Sequence, residues 1–183
     1  KVLDFFARNP GFNLIFAPHV MLFSRALHAS GKPARLRRSG HVPTRYRMLP
    51  NILVDEGSMR SVDMTYTRAA DIYLGDASSQ VYEFIATPRP CLFLNSEGAD
   101  WQHDPNFAHW HLGDVLDGPH ELASRLTAVH AHEPIHRLRQ LRAFEATFGT
   151  TPFGGATRAA SVLARLAGVD PAHSFTPFLS AAE

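Results

Sequence analysis

The stretch DIYLGDASSQVYEF, residues 71–84, decides the fold. It begins as an apolar strand and ends as a helix, with an acid and two serines at the turn between them. Gly75 lets the chain turn tightly after the strand. Asp76 is placed to cap the helix or brace the turn. Ser78 and Ser79 fall in the first helical turn, where backbone N–H groups have no internal partner and an anion is welcome. Glu83 lies four residues after Ser79 on the same face, within reach of a vicinal diol. Phosphate at the helix start with a diol beside it describes a nucleoside diphosphate. A plainer reading, in which Asp76 and Ser78 only cap a helix and Glu83 faces solvent, fits the segment too.

Working outward, short apolar runs recur: FNLIFAP at 12–18, NILVD at 51–55 and CLFLN at 91–95, with WHLGDVL at 110–116 as a fifth strand. Between them the pattern predicts helices over 2–8, 19–29 and 58–70, the last capped by Ser61 or a neighbour. More helices are expected over 119–131, 134–148 and 156–167. Segment 30–47 has no clean period and reads as loop or ragged helix, and the tail 169–183 as a surface run. Strands alternating with helices predict parallel βαβ units in an α/β, doubly wound, mostly parallel sheet of Rossmann-like type. In such sheets ligands sit outside the carboxyl ends of the strands. His19, Asp55-Glu56-Gly57, Asp76 and Asn95-Ser96-Glu97 all gather there. His19, protonated, would offset the charge of a diphosphate or donate a proton to it.

The 183 residues are 45% hydrophobic, enough for one core and one domain spanning 1–183. A formal net charge of +1 argues against generic nucleic-acid binding. The single cysteine, Cys91, reads as a buried strand residue, which leaves disulfides no role and suits a reducing, cytoplasmic compartment. No apolar run approaches a membrane span, and no signal peptide is seen. KVLDFFARNPG, 1–11, reads as a leading helix, so the chain is expected to start inside a larger architecture.

NLIFAPH at 13–19, NILVD at 51–55 and ADIYLGDASSQVYEFIATPRPCLFLN at 70–95 together resemble the CDP-glycerol glycerophosphotransferase family, the teichoic-acid type polyol-phosphate polymerases. The resemblance covers residues 10–97 well and 115–165 more loosely. It implies the C-terminal, donor-binding domain of a GT-B enzyme, with an N-terminal acceptor domain outside this chain. Its substrate would be CDP-glycerol or a similar donor, with no added cofactor. By position, His19 matches the family histidine facing the donor diphosphate. Asp76, Ser78 and Ser79 match its Asp-x-Ser-Ser turn, and Glu83 stands where related enzymes hold the ribose. Val20 replaces the proline of the family's usual His-Pro motif. Two alternatives stay open: a glycosyltransferase domain using a UDP- or GDP-sugar, and a non-catalytic domain that kept the fold.

Other signals are weighed against plainer readings. HEPIH at 132–136 has the letters of a zinc-protease motif. Pro134 is instead expected to start a new helix after a break near His132. His103, Asp104, His109 and His111 cluster in sequence, but no metal site is expected. Trp101 is read as packing its loop. GlyGly at 154–155 precedes a helix but lacks the lysine of a P-loop. Arg35, Arg37, Arg38, Arg45 and Arg47 form a local basic patch. That patch fits a solvated surface, contacts to phosphate through Arg37, Arg38 and Arg45, or, by the resemblance, an anionic membrane face.

Overall fold

The computed structural model describes residues 1–19, 27–30, 35–38, 41–76, 78–149 and 154–169; at 27–30, 35–38 and 130–133 it describes the backbone alone. The chain has a mixed α/β fold. In order come α1 (Val2–Arg8), β1 (Leu14–Phe16), β2 (Leu27–Ser30), β3 (Arg35–Arg38), α2 (Thr44–Arg47) and β4 (Ile52–Val54). Then follow α3 (Thr65–Ala69), β5 (Tyr73–Gly75), α4 (Gln80–Phe84), β6 (Cys91–Leu94), β7 (Asp114–Leu116), α5 (Leu122–Phe148) and α6 (Gly155–Leu166). Short 3₁₀ turns occupy Met59–Ser61, Pro105–Leu112 and Pro119–Glu121.

The five apolar runs expected as strands all contain one, and all pair in parallel. They form two ladders: β1 with β4, and β5–β6–β7. β6 shows why its sequence is apolar throughout. Cys91 and Phe93 enter a cluster with Val81, Phe84 and Ile85 of the α4 region. Leu92 enters the opposite cluster with Leu122, Leu126 and Val129 of α5. A strand covered on both faces has no solvent side to make polar.

Between β1 and β5 there is no ladder among the described residues. In each of these three-residue strands the outer residues bond inward to their own sheet, which leaves only Ile15 and Leu74 turned toward the gap. One residue per edge offers too few hydrogen bonds to zip the sheets together. Apolar packing joins them instead, through Leu14, Phe16, Ile72, Leu74 and Leu94 around Leu92 and Leu116.

Four expectations are corrected. Residues 27–29, expected in a helix, and residues 30 and 35–38, expected in loop or ragged helix, instead form the antiparallel pair β2 and β3; residues 20–26 lie outside the described ones. Gly31 and Pro33, just past the expected helix, are turn formers and the sequence signal for such a pairing. The helix expected over 58–70 is split: Ser58 Oγ, not Ser61, accepts from Arg60 N at 3.2 Å, and Met64 adopts φ 70° and breaks the run before α3. The strand expected from Trp110 starts only at Asp114, because Asp104 caps a 3₁₀ turn there (Asn106 N to Oδ1, 2.9 Å). Gly113 then crosses β6 so closely that a Cβ would lie 2.1 Å from the Cys91 carbonyl oxygen.

The fourth correction is Pro134, which does not start a helix. It lies inside the 27-residue α5. Its ring removes one backbone bond, but the helix is anchored on both sides of it. Leu122, Leu126 and Val129 pack below, and Gln140, Ala143 and Phe144 pack above. Tertiary burial overrides the local penalty. The tail from residue 170 lies outside the described residues. α6 matches its expected span, and none of its residues is buried.

Candidate functional site

A cleft of about 900 Å³ opens where β1 and β5 part. His19, Asp76, Ser78, Ser79 and Glu83 all line it. The structure therefore brings together the five residues that sequence placed at a donor site, from two different ladders. His19 and Asp76 each follow the end of a strand, and both meet the same cleft. The carboxyl ends of β1 and β5 therefore lie on one side.

The turn after β5 is built from close contacts. A Cβ on Gly75 would lie 2.5 Å from the Tyr73 hydroxyl, so the Tyr73 ring folds back over the glycine. That ring packs on Phe84 and Phe93, with centroids 5.6 and 5.9 Å apart. Burial pushes the Tyr73 hydroxyl up to about 12, while a hydrogen bond with Ser78 pulls the other way. Ser78 Oγ also accepts from Gln80 N at 3.3 Å. Ser78 is thus occupied in bracing the turn. Ser79 sits at the start of α4, and its side chain makes no capping bond. Of the two hydroxyls, Ser79 keeps more capacity for a ligand. α4 is only five residues long, so its dipole adds little and side chains carry most of the site's polarity.

Asp76 is braced through its main chain. Its carbonyl accepts from Trp110 Nε1 at 2.7 Å, and His109 Nε2 lies 3.1 Å from the same oxygen. This gives the histidine-rich segment a role: it buttresses the turn from behind. Trp101 packs on Trp110 and His111, with centroids 6.0 and 4.9 Å apart, as expected of a packing residue. Among the described residues no group of three or more His, Cys, Asp or Glu could hold a metal ion. His136 of the HEPIH segment faces Asp114 at 3.1 Å instead.

Arg45 does not line the cleft. It donates to the Tyr46 hydroxyl at 2.7 Å and lies 3.8 Å from Asp4. Arg37 and Arg38 lie on β3, and their side chains fall outside what is described. Asp55 and Glu56 also stay out of the cleft. Asp55 accepts from Gly57 N (2.9 Å), Ser58 N (2.7 Å), Ser58 Oγ and Tyr66 Oη (2.7 Å). These bonds, Ser58's hydroxyl first, hold its carboxyl well below the usual range. Glu56 pairs with Arg47.

Sequence reasoning missed the opposite wall. Ser61 and Val62, from the segment after β4, and Tyr66 of α3, whose hydroxyl bonds to Asp55, line the cleft together with Gln80. The acid-then-Gly-Ser pattern DEGS at 55–58 is the signal that could have found it, since Asp before Gly-Ser marks a self-bonded turn. Sequence also missed Arg89. Its guanidinium donates to the carbonyls of Ala70 (2.5 Å), Thr67 (2.9 Å), Phe84 (2.7 Å) and Thr87 (3.3 Å). One side chain so finishes the C-terminal ends of both α3 and α4. Comparison with known protein families, with curated proteins and with solved structures found no match for this chain.

Proposed function

We propose that this chain is the donor-binding domain of a transferase that moves glycerol phosphate, or a related polyol phosphate, from a CDP-linked donor to an acceptor hydroxyl. The observation that carries this reading is the convergence of His19, Asp76, Ser78, Ser79 and Glu83 on one cleft between two parallel ladders. A doubly wound, GT-B type domain would hold its donor there.

In the proposed reaction the acceptor oxygen attacks the β-phosphorus of the donor, on the glycerol side. The P–O bond to the bridging oxygen breaks, and CMP leaves with that electron pair. The acceptor's proton passes to a base supplied by the acceptor domain. Ser79 donates a hydrogen bond to a phosphate oxygen, and Ser78 holds the turn that presents it. His19, protonated, offsets the charge that develops on the leaving phosphate. Glu83 accepts from the ribose diol. The described residues include no helix long and apolar enough to cross a membrane.

Calorimetric titration with CDP-glycerol, CMP, UDP and GDP tests the reading. Tighter binding of the cytidine ligands is expected. Preference for UDP or GDP would overturn it in favour of glycosyl transfer, and binding of none would leave a non-catalytic domain.

A further inference from the structure

A surface helix keeps one apolar side for the core and a polar side for water. α5 follows that rule near its start and departs from it after Pro134. Its core contacts come from Leu122, Leu126, Val129 and Gln140, all buried. On the opposite side, one stripe passes through Ser124 and Thr127, two exposed hydroxyl residues. The same stripe then continues through Pro134, Leu138, Leu141, Glu145 and Phe148. Leu138 is 56% exposed, Leu141 46% and Phe148 40%. Ile135, also exposed, borders them. Single exposed apolar residues are ordinary, but a contiguous row marks an interaction surface.

The spacing of the row says what covers it. Positions 134, 138, 141, 145 and 148 follow one another at four, three, four and three residues, the average of 3.5 that a seam between two helices requires. Charge then selects the helix. The row holds one acid, Glu145, with Arg142 on its flank, and both are exposed. A parallel copy would set Glu145 on Glu145. An antiparallel copy centred on residue 143 sets Leu138 against Phe148 and Leu141 against Glu145, each twice by symmetry. Each Glu145 then lies beside Arg142 of the other copy, so both charges at the seam are met.

We propose that the outer face of α5 from Pro134 to Phe148 is a self-association surface, on which a second copy of this chain docks antiparallel. The inference is independent of the donor-site reading above. The row is complementary to itself, as a two-fold interface requires. A lipid surface fits it less well, since it would have to take the Glu145 carboxylate in the middle of the apolar row. A seam this short buries less than a standard interface. The dimer is therefore concentration-dependent, with a dissociation constant in the micromolar range.

Sedimentation equilibrium across a concentration series tests it. The samples are the wild type, Leu138→Glu, Arg142→Glu, Glu145→Arg and the double variant Arg142→Glu with Glu145→Arg, with thermal melting of each to confirm the fold. The wild type is expected to dimerise. Leu138→Glu should weaken the dimer about hundredfold or more, because two symmetric apolar contacts are lost. Each single charge variant should weaken it about fivefold, and the double variant should restore it. A monomer at every concentration overturns the proposal; should that monomer sediment with vesicles of phosphatidylglycerol, the row is a lipid-binding face instead. A dimer that Leu138→Glu leaves intact is built on another surface and overturns it too. Should Leu138→Glu not fold, the exposed charge pair still decides: a wild-type dimer that the single charge variants weaken and the double variant does not restore rejects the antiparallel seam.

Discussion

Strands β6 and β1 are both short and apolar, yet they sit in different surroundings. β6 has a neighbour on each edge, and Cys91, Leu92 and Phe93 are buried. Among the described residues β1 pairs only with β4, and its three residues are half-buried. The polar chemistry around them differs in the same way. Around β6, two long side chains reach through the core. Arg89 ties off two helix ends, and the buried Gln140 donates to the carbonyls of Arg89 (2.8 Å) and Leu112 (2.7 Å) while accepting from Arg89 N (3.1 Å). Around β1 and β4 the ties are short and local. Asn51 donates to the Phe6 and Phe12 carbonyls at 2.9 and 3.0 Å, and Asp55 binds its own loop.

The comparison shows how the site is divided. The turn with Ser78 and Ser79 stands on the densely braced half, behind which Trp110 and Phe93 are packed. His19 stands on the half with one sheet neighbour. A phosphate-holding turn gains from a fixed frame. Among the described residues the other edge of β1 has no strand on it, which leaves room for the cleft itself.

The largest expected effect is at Arg89. Arg89→Ala leaves the carbonyls at 67, 70 and 84 without their charged donor and should cost about 3–5 kcal/mol in chemical denaturation. Arg89→Lys should recover only part of it, because an ammonium cannot span the same fork. A loss under about 1 kcal/mol would show that the two helix ends do not depend on this residue. Gln140→Leu keeps the volume but strands the Arg89 amide and the carbonyls of Arg89 and Leu112. A loss of about 2–3 kcal/mol is expected, and a neutral result would mean that water replaces the amide.

On the other half, the depressed Asp55 carboxyl ties stability to pH. Its contribution is complete above the ordinary aspartate value near 3.9. It is lost as pH falls from there through the lower folded value. Thermal melts of Asp55→Asn should be lower at neutral pH and flatter below about pH 4 than those of the wild type. Parallel acid limbs would break the assignment. The smallest stability effect is expected at the cleft: Ser79→Ala and Glu83→Gln should change the melting free energy by less than about 0.5 kcal/mol. Their effect should appear in binding. Ser79→Ala should weaken CMP and 2′-deoxy-CMP about tenfold or more, and Glu83→Gln should weaken CMP more than the deoxy ligand. Equal loss of both ligands by Glu83→Gln would reassign the ribose contact.

By itself the sequence determined the parallel strands at 14–16, 52–54, 73–75 and 91–94 and the helix at 155–166, because apolar runs bounded by Gly, Pro and Asp are local signals. It also determined which polar residues end those strands, of which His19, Asp76 and Ser96 line the cleft while Asp55 and Glu56 do not. Tertiary structure alone decided the rest. No local pattern reveals that Arg89 would reach back to Thr67, or that Gln140 would span 51 residues to the Arg89 backbone. Pro134 reads as a break until Leu126 and Phe144 hold the helix on both sides of it. The gap between β1 and β5 is invisible too, since each strand's composition records that it is buried but not which edge stays unpaired. Pairing is a contest among edges distant in sequence, and it is settled only when the whole core packs.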